Sequence, residues 1–270
     1  MLNELATQVR NGTIDPVDLV KESLRRIDAA RELNAVVDLY ADEALAIAQT
    51  HSRQGALAGL PLLVKDMARV KGHVTTAGSL LYKDAAPDTD DDIAVARLRA
   101  EGAIIIGRTN SPEFGGTAFT SNKLFGATRN PWNTSQSPGG SSGGSSAALA
   151  AGLAPLATTS DGGGSVRGPA AATGLVGLKP TMGAVGRNFL PRWIEFSTQG
   201  PAASTVKDVE LLAGIMYGDA VGDFLAVSKA GINLAPRMPR TVLACRTFRT
   251  DVDPDIEAQY ENMLESLSKS

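Results

Sequence analysis

Three serines in glycine settings, and one lysine at the end of an apolar run, are the residues whose spacing could do chemistry. The stretch "SPGGSSGGSSAALAAG", residues 137–152, holds Ser141 and Ser142, and nine of its first ten residues are Gly or Ser. So dense a run is a flexible linker, a phosphate cradle or a serine-based catalytic loop. A linker belongs between independent domains, whereas this run lies between a strand-bearing half and a helix-to-strand step. A phosphate cradle calls for Gly-x-x-x-x-Gly-Lys-Ser/Thr or Gly-x-Gly-x-x-Gly, and neither spacing is present. Gly139 to Gly143 does match Gly-x-Ser-x-Gly, as does the frame shifted by one around Ser142. That elbow requires an acid and then a histidine further on, yet both histidines, His51 and His73, lie upstream. The base must be another group, and lysine is the known substitute.

A second serine site follows in "TTSDGGGSVRGPA". Gly162, Gly163 and Gly164 deliver the chain to Ser165 after an apolar run. Successive glycines permit positive φ and leave backbone N–H groups unobstructed, as a developing oxyanion needs. A tight turn that happens to end in serine is the other reading of this stretch.

The elements that must position these residues alternate. Asp15 and Pro16 open a helix with Val17, Val20, Leu24 and Ile27 on one face. "NAVVDLY" reads as a strand, "ADEALAIAQTH" as a helix, and "LPLLVKD" (60–66) as a buried strand ending in charge. "DDIAVARLRAEG" predicts a helix closed by Gly102, and "AIIIGRTN" a strand. "SPEF" predicts a new helix with Ser111 as cap. "AALAAG" and "LAPLATTSD" repeat the helix-to-strand step. Late elements are a helix at "TVKDVELLAGIMYG", a strand at "RTVLACR" and a helix at "DPDIEAQYENMLESLSK". This alternation predicts an α/β fold, a mostly parallel mixed sheet flanked by helices. With no internal repeat and no linker, residues 1–270 are expected to form one domain.

Composition narrows the function classes. The 270 residues are 43% apolar, with a formal charge of −3, which gives no basic footprint for nucleic acid or an anionic membrane. One cysteine, Cys245, excludes an internal disulfide and suits a reducing cytoplasm. Two histidines and that cysteine cannot make an ordinary zinc site. No cofactor or metal is expected, the partner being a small molecule, and localisation is expected to be cytoplasmic.

"GLPLLVKD", "TTAGS", "GATRNPWN", "SPGGSSGGSSAALAAG" and "SDGGGSVRGPAA…GLVGLKPT" occur in this order. Together, from about residue 8 to about residue 217, they resemble the amidase signature family of serine hydrolases. The resemblance implies a Ser–cis-Ser–Lys triad that cleaves amide bonds. Matched motif to motif, Ser165 is the nucleophile, Ser141 bridges it to Lys65, and Lys65 is the base. It further implies an oxyanion hole of N–H groups from Gly162 to Ser165. "FGGTAFTSN" (114–122) resembles the family's pocket segment, making Gly115 and Thr117 substrate-contact candidates. Gly162 departs from the family, which usually has Thr or Ile there.

The implied activity is hydrolysis of a linear amide, aryl amide or carbamate, uncharged and largely apolar, since no Arg/Lys cluster flanks the motifs. Two alternatives are the glutaminase component of a tRNA-dependent amidotransferase and a non-catalytic protein retaining the fold. After "GLKPT" the run "MGAVGRNFLPRWIEFSTQGP" matches that glutaminase component poorly. Asp66 reads as a turn residue, Arg167 as a brace for its loop, Trp132 as packing, and the histidines as bystanders. Family members normally continue further, so residues 1–270 are expected to be the triad-bearing part of a longer chain, with a naturally short homodimer as the alternative.

Overall fold

A computed structural model of the protein describes residues 1–189, 196–223, 225–228 and 252–269. The chain divides into two compact units, residues 1–232 and 233–270. The strand expected around "RTVLACR", with Cys245, lies outside the described residues.

In the first unit, helix α1 (Leu2–Arg10) is followed by α2 (Pro16–Ala29), strand β1 (Val36–Leu39) and α3 (Ala41–Gln49). Asp15 caps α2 as expected, its Oδ1 accepting the Val17 N–H at 2.8 Å. Then come β2 (Pro61–Lys65), α4 (Ile93–Ala100), β3 (Ile104–Thr109) and a small hairpin, β4 (Ser121–Asn122) with β5 (Gly126–Ala127). The rest is α5 (Gly143–Ala150), β6 (Leu156–Asp161), α6 (Arg167–Thr173), β7 (Val176–Gly177), β8 (Thr198–Ala203) and α7 (Val206–Met216).

Six strands form one mixed sheet in the order β1-β3-β2-β6-β8-β7. Its centre is parallel, β3 against β2 and β2 against β6, while the outer pairings are antiparallel. The central strands β2 and β3 open on apolar runs, and all three central strands are buried nearly throughout because both faces are covered. Side chains alternate between faces, so Leu62, Val64, Ile105 and Leu156 meet α1, α4 and α7 residues such as Val9, Leu98 and Leu212. Leu63, Ile104, Ile106 and Ala157 meet Val20, Ile27, Ala44 and Ala148 on the other side.

The parallel centre brings the carboxyl ends of β2 and β6 to one edge, where open α/β sheets hold their ligands. The N-terminus of α5 reaches the same edge because its first turn has no side chains in the way. A Cβ on Gly144 would run into the backbone N and O of Asn110, just past the end of β3.

"SPEF" does not open a helix. Residues Glu113–Gly115 make a single 3-10 turn in which Phe114 has φ +54°, a left-handed conformation that no α-helix continues through. The sequence pattern does not reveal β7 and β8, since Gly and Pro in "TQGPAA" mask a strand at the antiparallel margin.

In the second unit, α8 (Pro254–Ser268) is capped by Asp253, whose Oδ1 accepts the Asp255 N–H at 2.9 Å. Ile256, Met263 and Leu267 of this helix are exposed.

Gly144→Ala is expected to cost about 1–3 kcal/mol through overpacking, read as a lowered unfolding midpoint. Gly163→Ala, where a Cβ would meet nothing within 4 Å, is the control and should change it little.

Candidate active site

Lys65 ends β2 and is 1% exposed. Its backbone N–H is fixed by Thr158 Oγ1 of β6 at 2.8 Å. Its side-chain nitrogen lies 2.8 Å from Ser141 Oγ, 3.0 Å from Ser142 Oγ and 3.0 Å from Ser160 Oγ. Three hydroxyls thus meet one amine that has been taken out of water. Burial disfavours its charged form and lowers its pKa to about 7, against the opposing pull of the Asp161 carboxylate.

Ser141 and Ser142 immediately precede α5, and the Gly140–Ser141 peptide bond is cis. Ser142 is held from both sides: its N–H donates to the Ser165 carbonyl and its hydroxyl to the Ser160 carbonyl. Ser165 stands at the end of the glycine loop and is half-buried. It lines a cavity of about 180 Å³ together with Ser141, Ser160, Gly162 and Gly163. Among the described residues the Ser165 hydroxyl makes no hydrogen bond, so the Lys65–Ser141 contact is formed while Ser165 only shares the cavity.

The glycine loop is organised by Asp161, the last residue of β6. Its carboxylate accepts from the N–H groups of Gly164 (2.7 Å), Val166 (3.2 Å) and Arg167 (3.4 Å). The Arg167 guanidinium clamps it with two bonds, 2.9 and 3.0 Å. Burial pushes the Asp161 pKa up, but these donors outweigh it and bring it to about 2. The N–H groups expected to form an oxyanion hole are not equivalent. The Gly164 N–H is spent on Asp161, whereas the N–H groups of Gly162, Gly163 and Ser165 have no partner among the described residues.

The weaker candidates, Gly115 and Thr117, line the same cavity. Gly115 has φ +71°, and a Cβ there would meet Met67 at 2.9 Å and Ser141 Oγ at 3.3 Å. Asp66 is turned away by the strand alternation that sends Lys65 toward α5. It accepts from the N–H groups of Thr76 and Gly78 and pairs with buried Arg108 at 3.8 Å, so it folds the loop after Lys65. Arg167 braces its loop, as expected. Trp132 is a correction: it is 73% exposed, tied to the surface by its indole N–H on the Thr173 carbonyl at 2.8 Å. His51 accepts from the Arg53 N–H, and His73 stacks on Tyr40 and meets Glu43. Neither histidine lines the cavity.

Sequence reasoning singles out Ser142 only as an alternative elbow serine, and misses Ser160, Thr158 and Asp161 as site residues. Ser160 and Asp161 stand beside the recognised glycines, and that position is the one available signal. Among the described residues, no three His, Cys, Asp or Glu side chains gather as a metal-binding set. No helix among them is long and apolar enough to cross a membrane.

A buried lysine hydrogen-bonded to a serine, with a second serine across a small cavity, is an arrangement in which a lysine can act as base for a serine nucleophile. The chain belongs to the amidase signature family: the Amidase family model matches residues 18–270. It is 40% identical over 236 residues to an acylamidase of Rhodococcus erythropolis, an overlap of 84% of this chain and 49% of that protein. A glutamyl-tRNA(Gln) amidotransferase component of Burkholderia pseudomallei (strain 668) is 42% identical over 236 residues, covering 85% of this chain and 47% of that protein. The native peptide amidase of Stenotrophomonas maltophilia superposes with a TM-score of 0.77 at 34% identity, covering 87% of this chain and 50% of that one. The chain thus spans about half the length of the relatives it matches.

Lys65 also leaves a thermodynamic mark. In the folded chain it is neutral above about pH 7, whereas an unfolded lysine keeps its proton to about 10.4. Between those values the unfolded chain binds more protons, so the Lys65 contribution to stability rises with pH and is least favourable below 7. Lys65→Met should therefore shift the unfolding midpoint upward more at pH 6 than at pH 10. A shift independent of pH would contradict the lowered pKa.

Proposed function

We propose that this chain carries the catalytic triad of a serine amidohydrolase that cleaves the C–N bond of a linear amide, aryl amide or carbamate. The observation that carries the reading is the buried Lys65 amine on Ser141 Oγ, beside the cavity that Ser165 lines. In this mechanism neutral Lys65 takes the Ser141 proton while Ser141 takes that of Ser165. Ser165 Oγ attacks the carbonyl carbon, and the N–H groups of Gly162, Gly163 and Ser165 receive the oxyanion. Collapse breaks the C–N bond, the proton returning through Ser141 to the leaving amine. Water then attacks the acyl-Ser165 ester by the same relay and frees the acid.

A second reading, the glutaminase component of an amidotransferase, is favoured by the 42% identity to the Burkholderia protein. Glutaminase activity dependent on a partner protein would select it over stand-alone hydrolysis of acyl amides and anilides.

Ser165→Ala and Lys65→Ala are each expected to lower kcat on the order of 10⁴-fold or more, with the fold intact by circular dichroism. Intact-mass spectrometry with a slow substrate should find the acyl group on Ser165, and an adduct on Ser141 or Ser142 would overturn the assignment. Below about pH 7 the rate should rise about tenfold per pH unit as Lys65 loses its proton, then level. Replacing His51 and His73 together should leave it nearly unchanged.

A further inference from the structure

A second cavity, of about 300 Å³, adjoins the first and shares Met67, Ser160 and Ser197 with it. Lys65 lines it at one end, and Arg69, Asp88, Asp92, Arg187 and Gln199 also face it. Most of this charge is already matched. Arg69 lies 3.8 Å from Asp88 and sits over the Phe189 ring, 3.7 Å from its centroid. Asp88 also accepts from Thr75 Oγ1 at 2.6 Å and faces Arg108 at 3.8 Å. Arg187 is taken up by Asp223, on which its backbone N–H and its Nε both converge, at 2.9 and 3.3 Å.

Among the described residues, one carboxylate is left without a counter-charge and one acceptor without a donor. Asp92 occupies the N-cap position of α4 yet makes no capping hydrogen bond. The helix's first N–H, that of Ile93, donates to Asn188 Oδ1 at 2.9 Å and also lies against the Asp92 carboxyl. The Asp92 carboxyl meets the Gln199 side chain and the Ile93 N–H, and burial pushes its pKa up to about 6. It has no ion-pair partner within 4 Å among the described residues. Gln199 Oε1 is buried and has no hydrogen-bond partner among the described residues. An orphaned buried acceptor beside an unpaired carboxylate is a costly arrangement that a donor would relieve.

We propose that this cavity is a substrate-recognition subsite, in which the Asp92 carboxylate and the Gln199 carbonyl hold a hydrogen-bond-donating end of the substrate, a primary ammonium or a carboxamide NH₂. The inference rests on the amidohydrolase reading and names its substrate class: amides with a polar, donor-bearing arm. It replaces the apolar preference expected from sequence, where the absence of an Arg/Lys cluster was the only guide.

The test measures binding to Ser165→Ala protein, which turns nothing over, by calorimetry. The ligands are alkanamides with three to six methylenes, ending in ammonium, carboxamide, methyl or carboxylate. At one chain length a donor end should bind at least about tenfold more tightly than methyl, with carboxylate weakest. That ratio should fall toward one when Asp92→Ala or Gln199→Leu is added. Equal binding of methyl and donor ends overturns the proposal, as does a ratio that survives both substitutions or a preference for carboxylate, which would assign the cavity to Arg69. If neither added variant folds, the order of affinities in Ser165→Ala protein alone decides. Hydrolysis of the methyl-ended amide by the wild type separates the two claims: turnover without preference sinks the subsite only, and preference without turnover sinks the amidohydrolase reading only.

Discussion

An amine held out of water at the end of a central strand is the constraint on which the rest of the structure depends. Burying Lys65 costs the charged form its hydration, and that cost is tolerable only where oxygen acceptors surround the nitrogen closely. The acceptors come from two separate places in the chain: Ser141 and Ser142 ahead of α5, and Ser160 near the end of β6. Holding them at 2.8–3.0 Å requires β6 to pair with β2 and α5 to press its first turn against the end of β3. The apolar layers on both faces keep water away from the strand, and with it from the amine.

The small residues of the Gly/Ser run then have a physical reason, which is close approach. Gly144 lies against Asn110, and Ser141, Ser142, Ser145 and Ser146 are turned inward at 0–4% exposure. A linker would be solvated, whereas this run is buried along most of its length. The second glycine stretch works differently. Gly163 and Gly164 have open space where a Cβ would go, so there the glycines leave N–H groups uncovered and the order is imposed from outside, by Asp161.

How much of this is legible in the sequence follows from which signals are local. The apolar runs of β2 and β3 and the capping of α2 by Asp15 are written in adjacent residues, and the structure forms them there. Lys65, Ser141 and Ser165 are legible through motif order, and the contact between the first two is formed. The contributions of Ser142, Ser160 and Thr158 depend on contacts across more than 70 residues, which no local pattern encodes. "SPEF" has the composition of a helix start, but Phe114 and Gly115 both take positive φ, and the space a Cβ on Gly115 would need is filled by Met67 and Ser141. The commitment of the Gly164 N–H is hidden for the opposite reason: three consecutive glycines look equivalent until a carboxylate chooses one.

The clamp on that carboxylate is lopsided. The Asp161 side chain is fully buried, while the Arg167 side chain that neutralises it is 54% exposed. Dissolved salt reaches the guanidinium far more readily than the carboxylate. Loosening it would leave the carboxylate to its backbone N–H donors alone, and its pull on Lys65 is toward protonation. Ionic strength therefore becomes an input to the protonation of a lysine that no ion can touch. In this protein the salt content of the medium and its acidity act on the same proton, one from the surface and one from within.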